Sequence, residues 1–213
     1  MHFDLSFSVK VFSALFAIMN PIANIPVFLS LTEGATDAAK RKIAGVTFIG
    51  VTIGCLISVS VGDAILGVFG VTIDDFRLAG GLLVLLIALD MLHGSSSAQH
   101  TPRQNEMSAS GGDQDVAIFP LTMPLLVGPG TIATLIVFGH TAVQQGQVAS
   151  LALGLAVFLG LLAAALFSAP LLGRILSPKV TAITKRLMGM ILAAIAVEMM
   201  TASLTALFKG GVH

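Results

Sequence analysis

The chain is built from apolar runs of about twenty residues with few or no charges inside them. As an α-helix, such a run spans the ~30 Å hydrocarbon core of a bilayer. No water is available there to satisfy backbone N–H and C=O groups, so the runs dictate helices that bond internally. Composition agrees: 55% of the 213 residues are hydrophobic and 10% are charged, where a soluble domain carries about 25% charged residues. The formal net charge is zero, which gives no support for a nucleic-acid partner. Cys55 lies inside an apolar run, so neither a disulfide framework nor a thiol-metal motif is expected. The first run lacks a strongly basic leader and a small-residue cleavage signature, and reads as mature protein rather than a signal peptide.

Six runs stand out, at residues 5–31, 43–61 (with a short apolar extension through Phe69), 76–93, 117–139, 149–173 and 186–208. The polar stretch 94–116 reads as a flexible cytoplasmic loop. With six spans, one side carries Lys40, Arg41, Lys42, Arg103, Arg174, Lys179, Lys185 and Arg186, and the other only Lys10, Arg77 and Lys209. Basic residues stay in the cytoplasm. That places both termini in the periplasm, with the chain in a bacterial inner membrane as a multi-pass protein.

The chain also matches itself. Phe16, Pro21 and Pro26 recur as Phe119, Pro124 and Pro129 at an offset of 103. Gly54 and Leu66-Gly67 recur as Gly160 and Leu172-Gly173 at an offset of 106, and Arg77-Leu78-Ala79-Gly80 recurs as Arg186-Leu187-Met188-Gly189 at 109. The expected fold is therefore an all-α membrane protein with six transmembrane helices in two repeats, residues 1–93 and 117–213. Three spans per repeat force the copies into opposite orientations. Secondary transporters use such inverted repeats, with sites near the midplane at helices interrupted in corresponding places. A symmetric scaffold without transport is the alternative.

Helices 1 and 4 are expected to be broken. Helix 1 contains Met19-Asn20-Pro21-Ile22-Ala23-Asn24-Ile25-Pro26, and helix 4 contains Pro120 to Thr131 with Pro124, Gly128, Pro129 and Gly130. A proline deletes a backbone donor and clashes with the carbonyl four residues back, so Pro21, Pro26, Pro124 and Pro129 are the expected helix breakers. Gly128 and Gly130 permit backbone angles that other residues resist. A half-helix that starts after a break offers N–H groups suited to a carboxylate. The half-helix before it offers carbonyls suited to an ammonium group. A zwitterionic α-amino acid carries both charges. Asn20, Asn24, Thr122, Gly128, Gly130 and Thr131 are accordingly the candidate substrate-binding residues, and Thr134 adds a hydroxyl. The plainer alternative is a pair of kinks whose polar side chains only satisfy freed backbone.

Two acids fall within apolar spans. Glu198 lies about twelve residues, or ~18 Å, along helix 6 from Arg186. Asp90 lies in the corresponding place in helix 3, within one residue. Neither is expected to share the central membrane with a base. Carboxylates there are costly when ionised, which suits a proton-coupling role. The alternatives are a neutral acid bonded to a neighbouring helix and, for Asp90, one reaching headgroup water. His93, His100, His140 and His213 show no metal-ligand spacing. No metal, no cofactor and no enzymatic function are expected, because no nucleophile–base pair lies at membrane depth. Glycines in helices 2, 5 and 6 are expected to allow close helix contact.

The stretch Phe16-Ala17-Ile18-Met19-Asn20-Pro21-Ile22-Ala23-Asn24-Ile25-Pro26-Val27-Phe28, taken with Pro124-Leu125-Leu126-Val127-Gly128-Pro129-Gly130-Thr131-Ile132, resembles the MarC family, also called the neutral amino-acid transporter (NAAT) family. The resemblance covers nearly the whole chain in length, span count and motif position. Ala23 stands where the family often has Gly. The resemblance implies six helices in the bacterial inner membrane and a small-molecule substrate, a neutral amino acid of the glycine or alanine type. It leaves proton coupling, uptake against export, and homo-oligomerisation open. Exporters of the LysE type are similar in size and span count. A passive channel and a non-transporting scaffold remain the alternatives.

Overall fold

A computed structural model describes residues 3–93 and 117–210. The expected 94–116 loop lies outside the described residues, where all regular structure is helical. Helix α1 (Leu5–Met19) starts at Asp4, whose carboxylate accepts the Ser6 and Phe7 N–H groups. Helix α2 (Pro21–Leu31) continues the first span after one intervening residue. Helix α3 (Asp37–Val68) is capped by the Thr36 hydroxyl, and Asp37 in its first turn complements the helix dipole. Helix α4 (Ile73–His93) returns across. The second half holds a π-helix (Ala117–Leu126) and then α5 (Pro129–Gln144), α6 (Val148–Phe167), α7 (Ala169–Ile175) and α8 (Pro178–Gly210).

Among the described residues, five helical stretches are long and apolar enough to cross a membrane: Leu5–Leu31, Asp37–Val68, Ile73–His93, Val148–Phe167 and Pro178–Lys209. The chain is thus an integral membrane protein with several apolar helices. The expected span 117–139 is split between the π-helix and α5, neither of which crosses alone by length. α3 and α8, at 32 and 33 residues, outrun the expected 43–61 and 186–208. Apolar runs mark only the hydrocarbon-deep part of a helix. The caps at Thr36 and Ser177 let it start earlier, in polar surroundings.

α4 and α8 run antiparallel along most of their length, from the bond between the Ser203 hydroxyl and Asp74 O to the approach of Gly189 to Met91. Small residues make this possible. A Cβ on Gly81 would stand 2.7 Å from Met200, 3.1 Å from Ala196 O and 3.3 Å from Met199. One on Gly189 would stand 3.0 Å from Met91, 3.1 Å from Ala88 O and 3.3 Å from Leu92. The two surroundings correspond residue for residue at a spacing of 108. Elsewhere α1 packs on α6 and the π-helix on α3; α3 packs on α5 and α2 on α6; α4 packs on α5 and α2 on α8. The main core lies between α1, α2, α3, α5, the π-helix and α6, around Phe28, Phe158, Leu15, Met19 and Leu121.

Candidate functional site

The first interruption is a single residue. Asn20 adopts φ 35° and ψ 70°, the one left-handed conformation at a non-glycine among the described residues. A short polar side chain that bonds locally makes asparagine tolerant of this region. Its N–H closes α1 on Phe16 O at 2.9 Å, and its Oδ1 accepts the Ala23 N–H at 3.2 Å, so one residue ends α1 and caps α2. Pro21 follows at the first helical position, where its missing N–H removes nothing the helix needs. The Asn24 amide donates to Met19 O at 2.6 Å and satisfies a carbonyl that the break would orphan. The Asn20 Nδ2 is buried and has no partner.

The second interruption is wider. The π-helix closes with the Val127 N–H on Thr122 O at 2.8 Å, and α5 begins at Pro129. π-Helical turns are rare and recur at functional sites. The Thr122 hydroxyl donates to Ala117 O at 2.8 Å, and Thr47 of α3 reaches the same oxygen at 3.2 Å. The Thr131 hydroxyl donates to Leu126 O at 3.0 Å. Gly128 precedes α5 and offers no side-chain cap. The first N–H groups of α5, on Gly130 and Thr131, therefore sit at an uncapped start, since no helix satisfies them internally. The Thr134 hydroxyl, one turn on, is buried and unpartnered.

Several expectations change here. Gly128 has an ordinary extended φ of −87° and Gly130 is helical, so the strained backbone sits at Asn20 and not at the glycines. Gly130 instead lets α5 approach α4, where a Cβ would meet Ile87 at 2.7 Å. Pro26 does not break its helix, because α2 runs through it. The helices restart at Pro21 and Pro129, 108 residues apart, whereas the sequence match pairs Pro21 with Pro124. Matching the proline spacing aligned letters; the backbone restarts at the first proline of one motif and the second of the other. Among the six expected binding residues, Asn24 and Thr131 each donate to a carbonyl at the end of a helix, and Thr122 donates to Ala117 O at the start of the π-helix. Asn20 keeps a buried donor without a partner, and Gly128 and Gly130 offer backbone. Thr47 had no sequence signal beyond being a threonine in an apolar run.

The interruptions are brought together on α4. Ala17 and Ile18, just before Asn20, pack in one cluster with Val84 and Ile87, the residues that Gly130 approaches. Asp90 is half-buried one turn along from Ile87. Glu198 is not alone, contrary to expectation: Lys10 Nζ stands 2.7 Å from its Oε1. The hydropathy of α1 hid this partner, since Lys10 is the only charge in that helix. The pair lines a cavity of about 490 Å³ between α1, α4, α5 and α8, together with Arg77. A cavity of about 300 Å³ near Asp37, Lys40 and Arg41 lies at the opposite helix ends.

The family model described as MarC family integral membrane protein matches residues 5–208. The chain is 35% identical over 209 residues to the UPF0056 membrane protein YhcE of Escherichia coli (strain K12), covering 98% of this chain and 96% of that one. It is 35% identical to the UPF0056 membrane protein YvbG of Bacillus subtilis (strain 168), with 95% and 96% covered. A UPF0056 membrane protein of Methanocaldococcus jannaschii is 36% identical, with 92% and 95% covered. No solved structure matches.

Proposed function

The chain belongs to the MarC family of integral membrane proteins, and from that premise we propose that it is a secondary transporter of small neutral amino acids of the glycine or alanine type. One observation carries the reading. An uncapped helix start at α5 and a buried, unpartnered amide at Asn20 flank the same stretch of α4. Buried donors without partners cost about 1–3 kcal/mol each, and a substrate carboxylate would satisfy them. Peptide dipoles at the helix start favour the same charge. The carbonyl ends of α1 and the π-helix are the counterpart for an ammonium group.

The inverted-repeat reading supports this. Exchanging the halves turns the α1–α6 contact into that of the π-helix with α3, α3–α5 into α6–α2, and α4–α5 into α8–α2, while α4–α8 maps onto itself. The common spacing of 108 relates Pro21 to Pro129, Gly81 to Gly189 and Asp90 to Glu198. Rocking of one repeat on the other about α4 and α8 would expose the interruptions to each side in turn. Asp90 and Glu198 are the candidate coupling acids. The basic residues near the 32–36 and 176–177 turns support an orientation with that side in the cytoplasm and both termini in the periplasm of a bacterial inner membrane.

Proteoliposomes loaded with the full chain test the reading, with radiolabelled glycine and alanine, with and without a pH gradient. Saturable flux is expected, and Asn20→Gly should reduce it about tenfold while the protein stays folded, that being the kinetic equivalent of ~1.4 kcal/mol. Glycine keeps the left-handed angle and loses only a few tenths of a kcal/mol as a cap. Non-saturating flux would indicate a channel, and no flux in either direction would leave a scaffold.

A further inference from the structure

We infer that the cavity between α1, α4, α5 and α8 is a second, outer receiving site for a small zwitterion, in which the Lys10–Glu198 pair opens to take the ligand. Glu198 accepts the ammonium group, and Lys10 and Arg77 take the carboxylate. The inference rests on the transporter reading only for where the ligand goes next.

The charges need an explanation. Lys10 and Glu198 sit on apolar stretches of α1 and α8, yet their side chains are 59% and 64% exposed. Charges so placed against lipid are costly and mark polar cavities. Both line the same cavity of about 490 Å³, within the ~300–1,000 Å³ range of small-molecule sites. An ion pair this exposed is weakly held, so its partners can separate around a ligand. Glu198 Oε1 takes the Lys10 ammonium, and Oε2 remains for a second donor. Arg77 Nη1 donates to Asp74 Oδ1 at 3.1 Å. A guanidinium has five donors, and the rest of its fork matches a carboxylate. The apolar wall, with Phe138, Ile191 and Ile195, fits a short aliphatic side chain. Ser13 and Ala14 line the cavity. Asn20 follows Ala14 by six residues, about 9 Å along the helix, and the unpartnered Thr134 hydroxyl lies one turn inward of Phe138. The cavity therefore leads toward the interruptions.

A pair that merely stitches α1 to α8 predicts something different, and the test separates the two. Ser13→Cys in a Cys55→Ala background, full length in nanodiscs, is treated with an anionic and a cationic thiosulfonate of similar size. The anionic reagent should react about tenfold faster, drawn by Lys10 and Arg77. Alanine at about ten times its Kd should slow the reaction about tenfold by mass action. Glu198→Gln should remove the advantage of alanine over propionate, which lacks the ammonium group. Lys10→Glu combined with Glu198→Lys keeps the attraction between the helices, and so the fold, but should also lose protection by alanine. A cysteine that neither reagent reaches overturns the inference, as does protection that survives the charge exchange. Amino-acid flux in proteoliposomes without protection would likewise refute this site and spare the transporter reading. Protection without flux would do the reverse.

Discussion

At the scale of single residues, the interruptions depend on side chains that stand in for missing backbone partners. Asn24 illustrates the division of labour. Its position in the motif suggests a ligand for substrate, but its amide donates to Met19 O. Asn24→Leu should therefore destabilise the protein by about 1–3 kcal/mol, the cost of leaving that carbonyl unsatisfied. A lower melting temperature in detergent would show this, and an unchanged one would return Asn24 to the substrate site. Asn20 differs because its oxygen caps α2 while its nitrogen is left over.

At the scale of helices, α6 carries its own control. A Cβ on Gly154 would lie 2.5 Å from Ser8 O on α1, a backbone atom that can move only with its helix. In the same neighbourhood the Ser8 hydroxyl donates to Ser150 O at 2.8 Å, and the Asp4 N–H donates to the Ser150 hydroxyl at 2.8 Å. Gly160, on the same helix, has nothing within 4 Å of its hypothetical Cβ. Gly154→Ala should cost roughly 1–3 kcal/mol through overpacking, whereas Gly160→Ala should be neutral or slightly stabilising, since alanine favours a helix interior over glycine by ~1 kcal/mol. Thermal unfolding of both variants checks this, and equal melting temperatures would mean α1 and α6 are not so closely apposed.

At the scale of the molecule, the helix ends sort into two groups. Asp4, the 69–72 and 145–147 turns and the end of α8 share one side. The start of α3 meets the end of α6 at the other, beside Lys40 and Arg41. In the proposed orientation, with the basic side in the cytoplasm, a membrane-impermeant maleimide should label Gln145→Cys in intact cells and Glu33→Cys only after permeabilisation. The opposite pattern would invert the proposed orientation and make the outer cavity an inner one.

The sequence by itself determined that the chain is helical, roughly where the helices lie, and that breaks fall within the 19–26 and 120–131 motifs, but not which residue of each motif makes the break. Long apolar runs and prolines inside them act locally, and lipid allows the backbone few other answers. The helix lengths were less legible, because caps such as Thr36 extend a helix beyond its apolar run. Only the tertiary structure decided what the polar side chains do. It showed that Asn24, Thr122 and Thr131 serve backbone carbonyls and that Lys10 reaches Glu198 across 188 positions of chain. It also showed that both interruptions meet at Val84 and Ile87. The three carbonyl bonds span only five residues and turn on where the backbone is broken; the Lys10–Glu198 pair and the meeting at Val84 and Ile87 join residues far apart in the chain. Contacts of the latter kind follow from helix packing, which glycines such as Gly81, Gly130 and Gly189 set and which no local pattern encodes.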